Sequence, residues 1–330
     1  MMAEAKPKVA FYWCASCGGC EEAVVDLAED LLKVVEAVEL AFWPVALDFK
    51  REDVERLPDG SLAAAFINGA IRLSEHEEMA HLLRRKAQLV IAYGSCAHLG
   101  GVPGLANLHD RGSIFQYVYR DAPSVANPEG VFPQERFPAE EGELELPAFW
   151  DTVKALDQVV EVDYYVPGCP PTPKVTRAAI EALFGEGELP PKGTVLGAGT
   201  RALCHECPLN ETKPDKLLLE GFKRVHEVIP EPNKCLLAQG LICLGPATRE
   251  GCGALCISAN MPCTGCFGPL DRVRDYGGKA LSEIASILNS NDEGEIERAL
   301  EKVADPVGTF YRYSLPRSFL GRRIRRGDRP

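Results

Sequence analysis

The chain lacks any apolar run near the roughly 18 residues of a membrane span. Its first residues, Met1 to Lys8, contain neither an apolar signal segment nor a twin arginine, so the protein is expected to be unexported and cytoplasmic. There is no internal repeat, no phosphate-binding Walker motif and no GxGxxG after a strand. Without a Ser/His/Asp constellation or a nucleophile elbow, nothing suggests that this chain makes or breaks bonds alone, and no residue is assigned a catalytic role. A net charge of −12 argues against nucleic acid as the main partner.

Cysteine is abundant. Thirteen stand among 330 residues, and a reducing cytosol makes disulfides a poor explanation, so metal binding is the default. Eight of them (Cys204, Cys207, Cys235, Cys243, Cys252, Cys256, Cys263 and Cys266) fall within 63 residues. Eight is twice the four thiolates of a cubane iron–sulfur cluster. Gly and Pro flank them, as in Cys243-Leu244-Gly245-Pro246 and Pro262-Cys263-Thr264-Gly265-Cys266. Such residues form tight turns whose N–H groups can point at sulfur.

Length predicts two domains. The Gly/Pro-rich Gly185 to Gly199 stretch marks the boundary, giving domains of 1–190 and 191–330. Upstream, Lys8 to Trp13 reads as a strand and Gly19 to Val38 as one helix with Val24, Leu27, Leu31 and Val35 on a face. Val38 to Val45 and Leu62 to Ile67 read as strands, and Ser74 as the cap of a helix. Gln88 to Tyr93 has the unbroken apolar character of a strand buried on both sides. Val159 to Val166 reads as a strand, followed by a helix with Thr172 as cap and Pro173 at its first position. This alternation predicts an α/β fold: a flavodoxin-like, doubly wound parallel sheet followed by a smaller, loop-rich domain with helices. Leu281, Ile284, Ala285 and Leu288 mark one late helix, and Ile296, Leu300 and Val303 a second that Pro306 stops. The polar stretch from Gly100 to Asp151 is long enough to be functional or partner-facing.

Three strands run directly into cysteines: Cys14/Cys17/Cys20, Cys96 and Cys169. Ligands of such sheets bind beyond the carboxyl ends of the strands, so cysteines 150 residues apart can meet at one edge. Buried structural thiols are common singly, but they do not explain three strand-end placements. Of the overlapping CxxC pairs, Cys17-Gly18-Gly19-Cys20 is taken as the ligand pair and Cys14 as spare. Zinc is the main rival to iron–sulfur, but Cys207 and Cys235 stand 28 apart where zinc sites set close pairs about 12–20 residues apart. His205 and His98 lie beside cysteines and are not assigned as ligands. Seven arginines between Tyr311 and Pro330 (Arg312, Arg317, Arg322, Arg323, Arg325, Arg326 and Arg329) form either a solvated tail or a docking arm for an acidic partner.

Ala15-Ser16-Cys17-Gly18-Gly19-Cys20-Glu21, Tyr93-Gly94-Ser95-Cys96-Ala97 and Pro167-Gly168-Cys169-Pro170-Pro171 resemble the proximal-cluster motifs of [NiFe] hydrogenase small subunits. Gly100 to Leu108, Gln239 to Thr248 and Val307 to Tyr311 look like the methyl-viologen-reducing, deazaflavin-non-reducing subgroup. The resemblance implies an electron-transfer small subunit serving a separate nickel–iron large subunit, with three [4Fe–4S] clusters. Cys17, Cys20, Cys96 and Cys169 would hold the proximal cluster. Cys252, Cys256, Cys263 and Cys266 would hold the medial cluster, and Cys204, Cys207, Cys235 and Cys243 the distal one. Best-known periplasmic members use a histidine where this chain has Cys204, and a proline where it has Cys256. Both departures favour three four-iron clusters. The subgroup passes electrons to a [2Fe–2S] delta-type subunit and a heterodisulfide-reductase-like flavoprotein complex. Alternatives are a NAD(P)-coupled, sulfhydrogenase-like enzyme and, from another class, a zinc scaffold or hydrogen sensor. A large-subunit identity is excluded, because Cys263-Thr264-Gly265-Cys266 follows Met261-Pro262 rather than Asp-Pro and lies 64 residues before Pro330.

Overall fold

The computed structural model describes residues 6–322. A five-stranded parallel sheet forms its centre, in the order β2-β1-β3-β5-β9. Its strands are β1 (Lys8–Trp13), β2 (Glu39–Phe42), β3 (Leu62–Asn68), β5 (Ala87–Tyr93) and β9 (Tyr164–Val166). Counting sheet strands alone, the order is 2-1-3-4-5, that of doubly wound flavodoxin-like sheets. Val9 to Tyr12 are all buried, and Ile91 to Tyr93 likewise, because helices cover both faces. The short β4 (Ile71–Leu73) pairs antiparallel with β8 (Phe149–Lys154), and β6 (Arg136–Ala139) with β7 (Gly142–Glu145).

The expected helix over 19–38 is two helices, α1 (Gly19–Val25) and α2 (Asp30–Ala37). Ala28 between them takes a left-handed φ of 51°. The break turns α2 so that Val35 is exposed while Val24 and Leu27 stay buried. Beyond α3 (Arg51–Glu55), α4 (Ser74–Lys86) begins at Ser74, which does not cap it. The Ser74 hydroxyl instead accepts from Ala148 N–H, and His76 Nδ1 accepts weakly from the N–H groups of Arg72 and Leu73, each at 3.4 Å. Helix α5 (Gly94–Leu99) follows β5 without a linker.

The stretch from Gly100 to Asp151 is not bare loop: it holds a 3₁₀ turn, α6 (Arg111–Gln116) and the β6–β7 hairpin. The strand expected over 159–166 is confined to β9. Leu156–Gln158 form a 3₁₀ turn, and Asp163 is drawn sideways to the Val90 N–H of β5 at 2.8 Å. Thr172 caps α7 (Pro173–Phe184) as expected, accepting from Val175 N–H, with Val175, Ala179 and Leu183 buried.

Apart from the cores on the two faces of the sheet, another is drawn from residues 203–311, including Leu203, Leu241, Leu244, Tyr276, Ile284 and Phe310. It carries α8 (Leu255–Ser258), α9 (Tyr276–Ser286), α10 (Glu293–Glu301) and α11 (Pro306–Phe310). The inward face of α9 is Tyr276, Ala280 and Ile284 rather than the Leu281/Ala285 side, since Leu281 is exposed. In α10 the buried residue is Ala299, and Leu300 is exposed. Pro306 starts α11 behind its Asp305 cap; α10 has already ended at Glu301. Among the described residues no helix is long and apolar enough to cross a membrane.

Candidate functional site

The carboxyl ends of β1, β5 and β9 meet at one edge. Ser95 N–H, just after β5, donates to Gly168 O, just after β9, at 2.7 Å. This edge gathers Cys17, Cys20, Cys96 and Cys169. Burial pushes the Cys96 thiol up to about 12, with the Cys169 and Cys17 thiols adding to the rise. Cys20 is raised by burial and then by Cys96, Cys169 and Cys17. Two glycines leave room for the sulfurs. A Cβ on Gly94 (φ 84°) would overlap Cys20 Sγ, and one on Gly101 (φ 58°) would overlap Cys96 Sγ. Both need the left-handed backbone that glycine adopts freely.

Cys204, Cys207, Cys235 and Cys243 form a second foursome. Burial raises Cys204 to about 11, and the nearby Cys243, Cys207 and Cys235 thiols act in the same direction, against Lys213. Gly245 closes on this group: its Cβ position is 3.5 Å from Cys204 Sγ and 3.7 Å from Cys243 Sγ. Cys235 is held by its N–H, which donates to Thr212 Oγ1 at 2.8 Å.

Cys252, Cys256, Cys263 and Cys266 line one cavity together with Cys169 and Phe267. Cys266 is pushed up to about 12 by burial, then by the Cys252, Cys169 and Cys256 thiols, against the Cys169 N–H that donates to its sulfur. The turn at Ala254 and Leu255 aims two N–H groups at Cys252, and Gly265 N–H donates to Cys263. Among the described residues no three His, Cys, Asp or Glu side chains stand together as ligands of a single metal ion.

The foursomes adjoin in series. Cys169 N–H reaches the Cys266 sulfur, and the hydroxyl of Ser95, beside Cys96, donates to Cys266 O. Cys263 N–H points at Cys243 Sγ at 3.3 Å. Glu206, between Cys204 and Cys207, accepts from Gly251 N–H at 2.8 Å and Gly253 N–H at 3.1 Å, gripping the turn that carries Cys252. Sequence reading missed Glu206 and Ser95. Their only signal was their place beside cysteines.

The remaining candidates lie apart. Cys14 is buried in the core over the opposite face of the sheet, with Tyr12 and Ala97. His98 is buried with its ring 4.6 Å from that of Tyr165, and burial, then Arg317 and Arg249, hold it well below the usual imidazole range. His205 is exposed. Of the arginine-rich segment, Arg312 donates to Gly308 O, Arg317 pairs with Asp157 at 3.0 Å and Arg322 pairs with Asp151, so these three are engaged within the chain. Arg323, Arg325, Arg326 and Arg329 lie outside the described residues.

Residues 17–183 match the family model for the NADH ubiquinone oxidoreductase 20 Kd subunit. The iron-sulfur subunit of the F420-non-reducing hydrogenase of Archaeoglobus profundus is 41% identical over 320 residues, 96% of this chain and 98% of that protein. The corresponding subunit of the F420-non-reducing hydrogenase of Methanothermobacter marburgensis is 39% identical, over 98% of this chain and 99% of its own length. The crystal structure of the Ni-Fe-Se hydrogenase from Desulfomicrobium baculatum shares the fold, with a TM-score of 0.52 at 18% identity over 81% of this chain and 96% of that one. The strand-end motifs and the cysteine-rich region thus lie within a likeness running the length of the protein, and the chain belongs to the family of small subunits of F420-non-reducing hydrogenases, a subunit of an oxidoreductase.

Proposed function

We propose that this chain relays electrons from hydrogen oxidation at a nickel–iron site, on a separate large subunit, through three [4Fe–4S] clusters to an acceptor subunit. Cys17, Cys20, Cys96 and Cys169 hold the proximal cluster. Cys252, Cys256, Cys263 and Cys266 hold the medial one, and Cys204, Cys207, Cys235 and Cys243 the distal one. The observation that carries this reading is the grouping itself. Twelve thiols fall into three foursomes, and consecutive foursomes meet through one N–H aimed at one sulfur.

The donor sets fit such clusters. Cysteine thiolates are their usual ligands, and the chain leaves glycine-sized space beside Cys20 and Cys96. Each cluster, when bound, supplies one-electron transfer at low cost in rearrangement. The protein's part is to fix the sulfurs, exclude water from Cys20, Cys96, Cys243 and Cys263, and direct N–H dipoles at the thiolates. Burial raises most of these thiols, so filling the sites releases protons.

The ends of the series differ in what they face. Cys17 and Cys169 are exposed at the sheet edge and suit contact with the large subunit. Cys204, Cys207 and Cys235 are half-buried at the far end and suit the exit. The likeness to F420-non-reducing hydrogenases supports a cytoplasmic acceptor made of a [2Fe–2S] delta-type subunit and a heterodisulfide-reductase-like flavoprotein complex. The test is anaerobic purification of the native complex with protein identification and metal counts. A nickel-bearing partner, about twelve irons per copy of this chain and heterodisulfide-reductase-like flavoproteins are expected. A pyridine-nucleotide-binding partner would move the acceptor to NAD(P), and a lone zinc-loaded chain would end the relay reading.

A further inference from the structure

Two buried hydroxyls stand between the medial and distal foursomes, and neither belongs to a ligand. Thr248 is 2% exposed and Tyr276 is 3% exposed. Thr248 Oγ1 has three neighbours: Leu244 O at 2.6 Å, Tyr276 OH at 2.8 Å and Cys263 Sγ at 3.6 Å. The backbone of Thr248 is pinned as well, since its carbonyl accepts from Leu203 N–H, next to Cys204, at 2.8 Å. The loop from Cys263 to Cys266 is shaped around the phenol. A Cβ on Gly265, at φ 95°, would collide with Tyr276 OH.

We infer that the paired hydroxyls of Tyr276 and Thr248 raise the reduction potential of the cluster held by Cys252, Cys256, Cys263 and Cys266. The inference rests on the ligand reading above. Proton counting carries it further. If Tyr276 donates to Thr248, the one hydroxyl proton of Thr248 has two acceptors left, the Leu244 carbonyl and the Cys263 sulfur. A thiol at Cys263 can itself donate to Thr248, but a thiolate bound to iron cannot, and it becomes an acceptor. With a cluster bound, an added electron would make the Cys263 sulfur more negative and so a better acceptor of the Thr248 hydroxyl, in competition with the Leu244 carbonyl. Hydrogen bonds to ligand sulfur are among the protein's levers on cluster potential. Tyr276 acts one step removed, polarising the Thr248 hydroxyl through the chain of bonds. Both are positioning residues.

The test is a potentiometric titration of the intact hydrogenase complex followed by EPR, with Cys256→Pro run alongside to mark the medial signal. Thr248→Val should move the midpoint of that signal to more negative potential. Tyr276→Phe should move it the same way by less, and Thr248→Ser should restore the wild-type midpoint. An intact signal with an unmoved midpoint in Thr248→Val overturns the inference, and so does Thr248→Ser behaving like Thr248→Val, because packing rather than the hydroxyl would then be responsible. If Cys256→Pro alters no signal at all, the ligand reading itself has failed. Failure of the tuning idea alone leaves the Cys256→Pro change in place.

Discussion

Cys243 Sγ accepts a hydrogen bond from the backbone N–H of Cys263 across 3.3 Å. Twenty residues separate the two in sequence, yet this bond joins the second and third foursomes. Leu244 N–H donates to Cys263 O at 2.9 Å, so the two strands of chain clasp each other in both directions. The pairing brings Leu241, Leu244 and Phe310 into one core. In this cysteine-rich region the hydrophobic core and the thiols occupy the same space. Packing therefore sets the spacing of the sulfur groups, and substitutions that loosen the core should also disturb that spacing.

Glu206 tests that coupling. Its Oε1 serves two N–H groups, those of Gly251 and Gly253. Glu206→Ala strands both donors in a region that is only part-buried, at a cost of about 1–2 kcal/mol. Glu206→Gln keeps an oxygen in place and should lose less. Denaturant midpoints of the purified complex check the order, wild type above Gln above Ala. Iron content should fall in the Ala variant only, because Cys252 rides on the released turn.

Gly94→Ala separates crowding from backbone strain. Its new methyl group would overlap Cys20 Sγ, in a left-handed conformation that alanine disfavours. Gly60 is also left-handed, at φ 71°, but a Cβ there meets nothing within 4 Å. Gly60→Ala should cost only strain, about 1 kcal/mol, and retain full iron. Gly94→Ala should lose about four irons. Iron analysis of the two variants, with a melting curve for each, distinguishes the effects. Equal iron in both would mean that the glycine at 94 serves the turn alone.

Most of the sheet is legible in the sequence because strand segments buried on both faces must be apolar, as Val9–Tyr12 and Leu89–Tyr93 are. The strand-end cysteines are legible for a topological reason: parallel strands present their carboxyl ends along one edge. The break at Ala28 is not, since no Gly, Pro or Asn marks it and its left-handed φ is imposed by packing α1 and α2 separately. The strand over 159–166 is shorter than its apolar run suggests because Val159, Val160 and Val162 are apolar for the core, not for pairing. The α9 face is ambiguous in sequence because Leu281 and Ala285 fit the helical period as well as Ala280 and Ile284 do. Only the position of Tyr276 over the Cys263–Cys266 loop decides between them. Spacing alone cannot group eight cysteines into two sets. Contacts such as Cys263 with Cys243 lie between the sets, and only three dimensions reveal them.

Asp163 anchors the far end of the sheet. Its carboxylate is fully buried and meets Arg84 at 2.6 Å, Lys192 at 2.6 Å and Val90 N–H at 2.8 Å. Burial alone would raise its pKa, but Lys192, Arg84 and the Val90 N–H together bring it below the usual 3.8. A carboxyl with a lowered folded-state pKa adds stability above about pH 3.8, and that stability is lost as pH falls through the folded value. Asp163→Asn should destabilise the protein at pH 7 by about 3 kcal/mol, the lower end for a broken buried pair because Lys192 remains in solvent. The gap between variant and wild type should narrow as the pH is taken below 3.8, and unfolding curves from pH 7 to pH 3 measure it. A gap independent of pH would assign the loss to packing rather than to charge.

Cys14 offers the sharpest contrast with its neighbours in the motif. It sits one CxxC step before Cys17, yet its side chain enters the core beside Tyr12, while Cys17 stays exposed at the sheet edge. Gly69 packs against the Cys14 backbone, and Cys14 N–H donates to Asn68 O at 2.8 Å, so the turn itself holds the thiol inward. Cys14→Ala should keep every iron and the full EPR spectrum while lowering stability by about 1 kcal/mol, the loss of one small buried group. Cys17→Ala should do the reverse: an exposed side chain contributes little to stability, but the proximal signal should disappear. Iron counts and melting temperatures for the two variants, prepared side by side without oxygen, give the comparison. Loss of iron from Cys14→Ala with retention in Cys17→Ala would move the ligand pair to Cys14 and Cys20 and require the β1 turn to refold around the cluster.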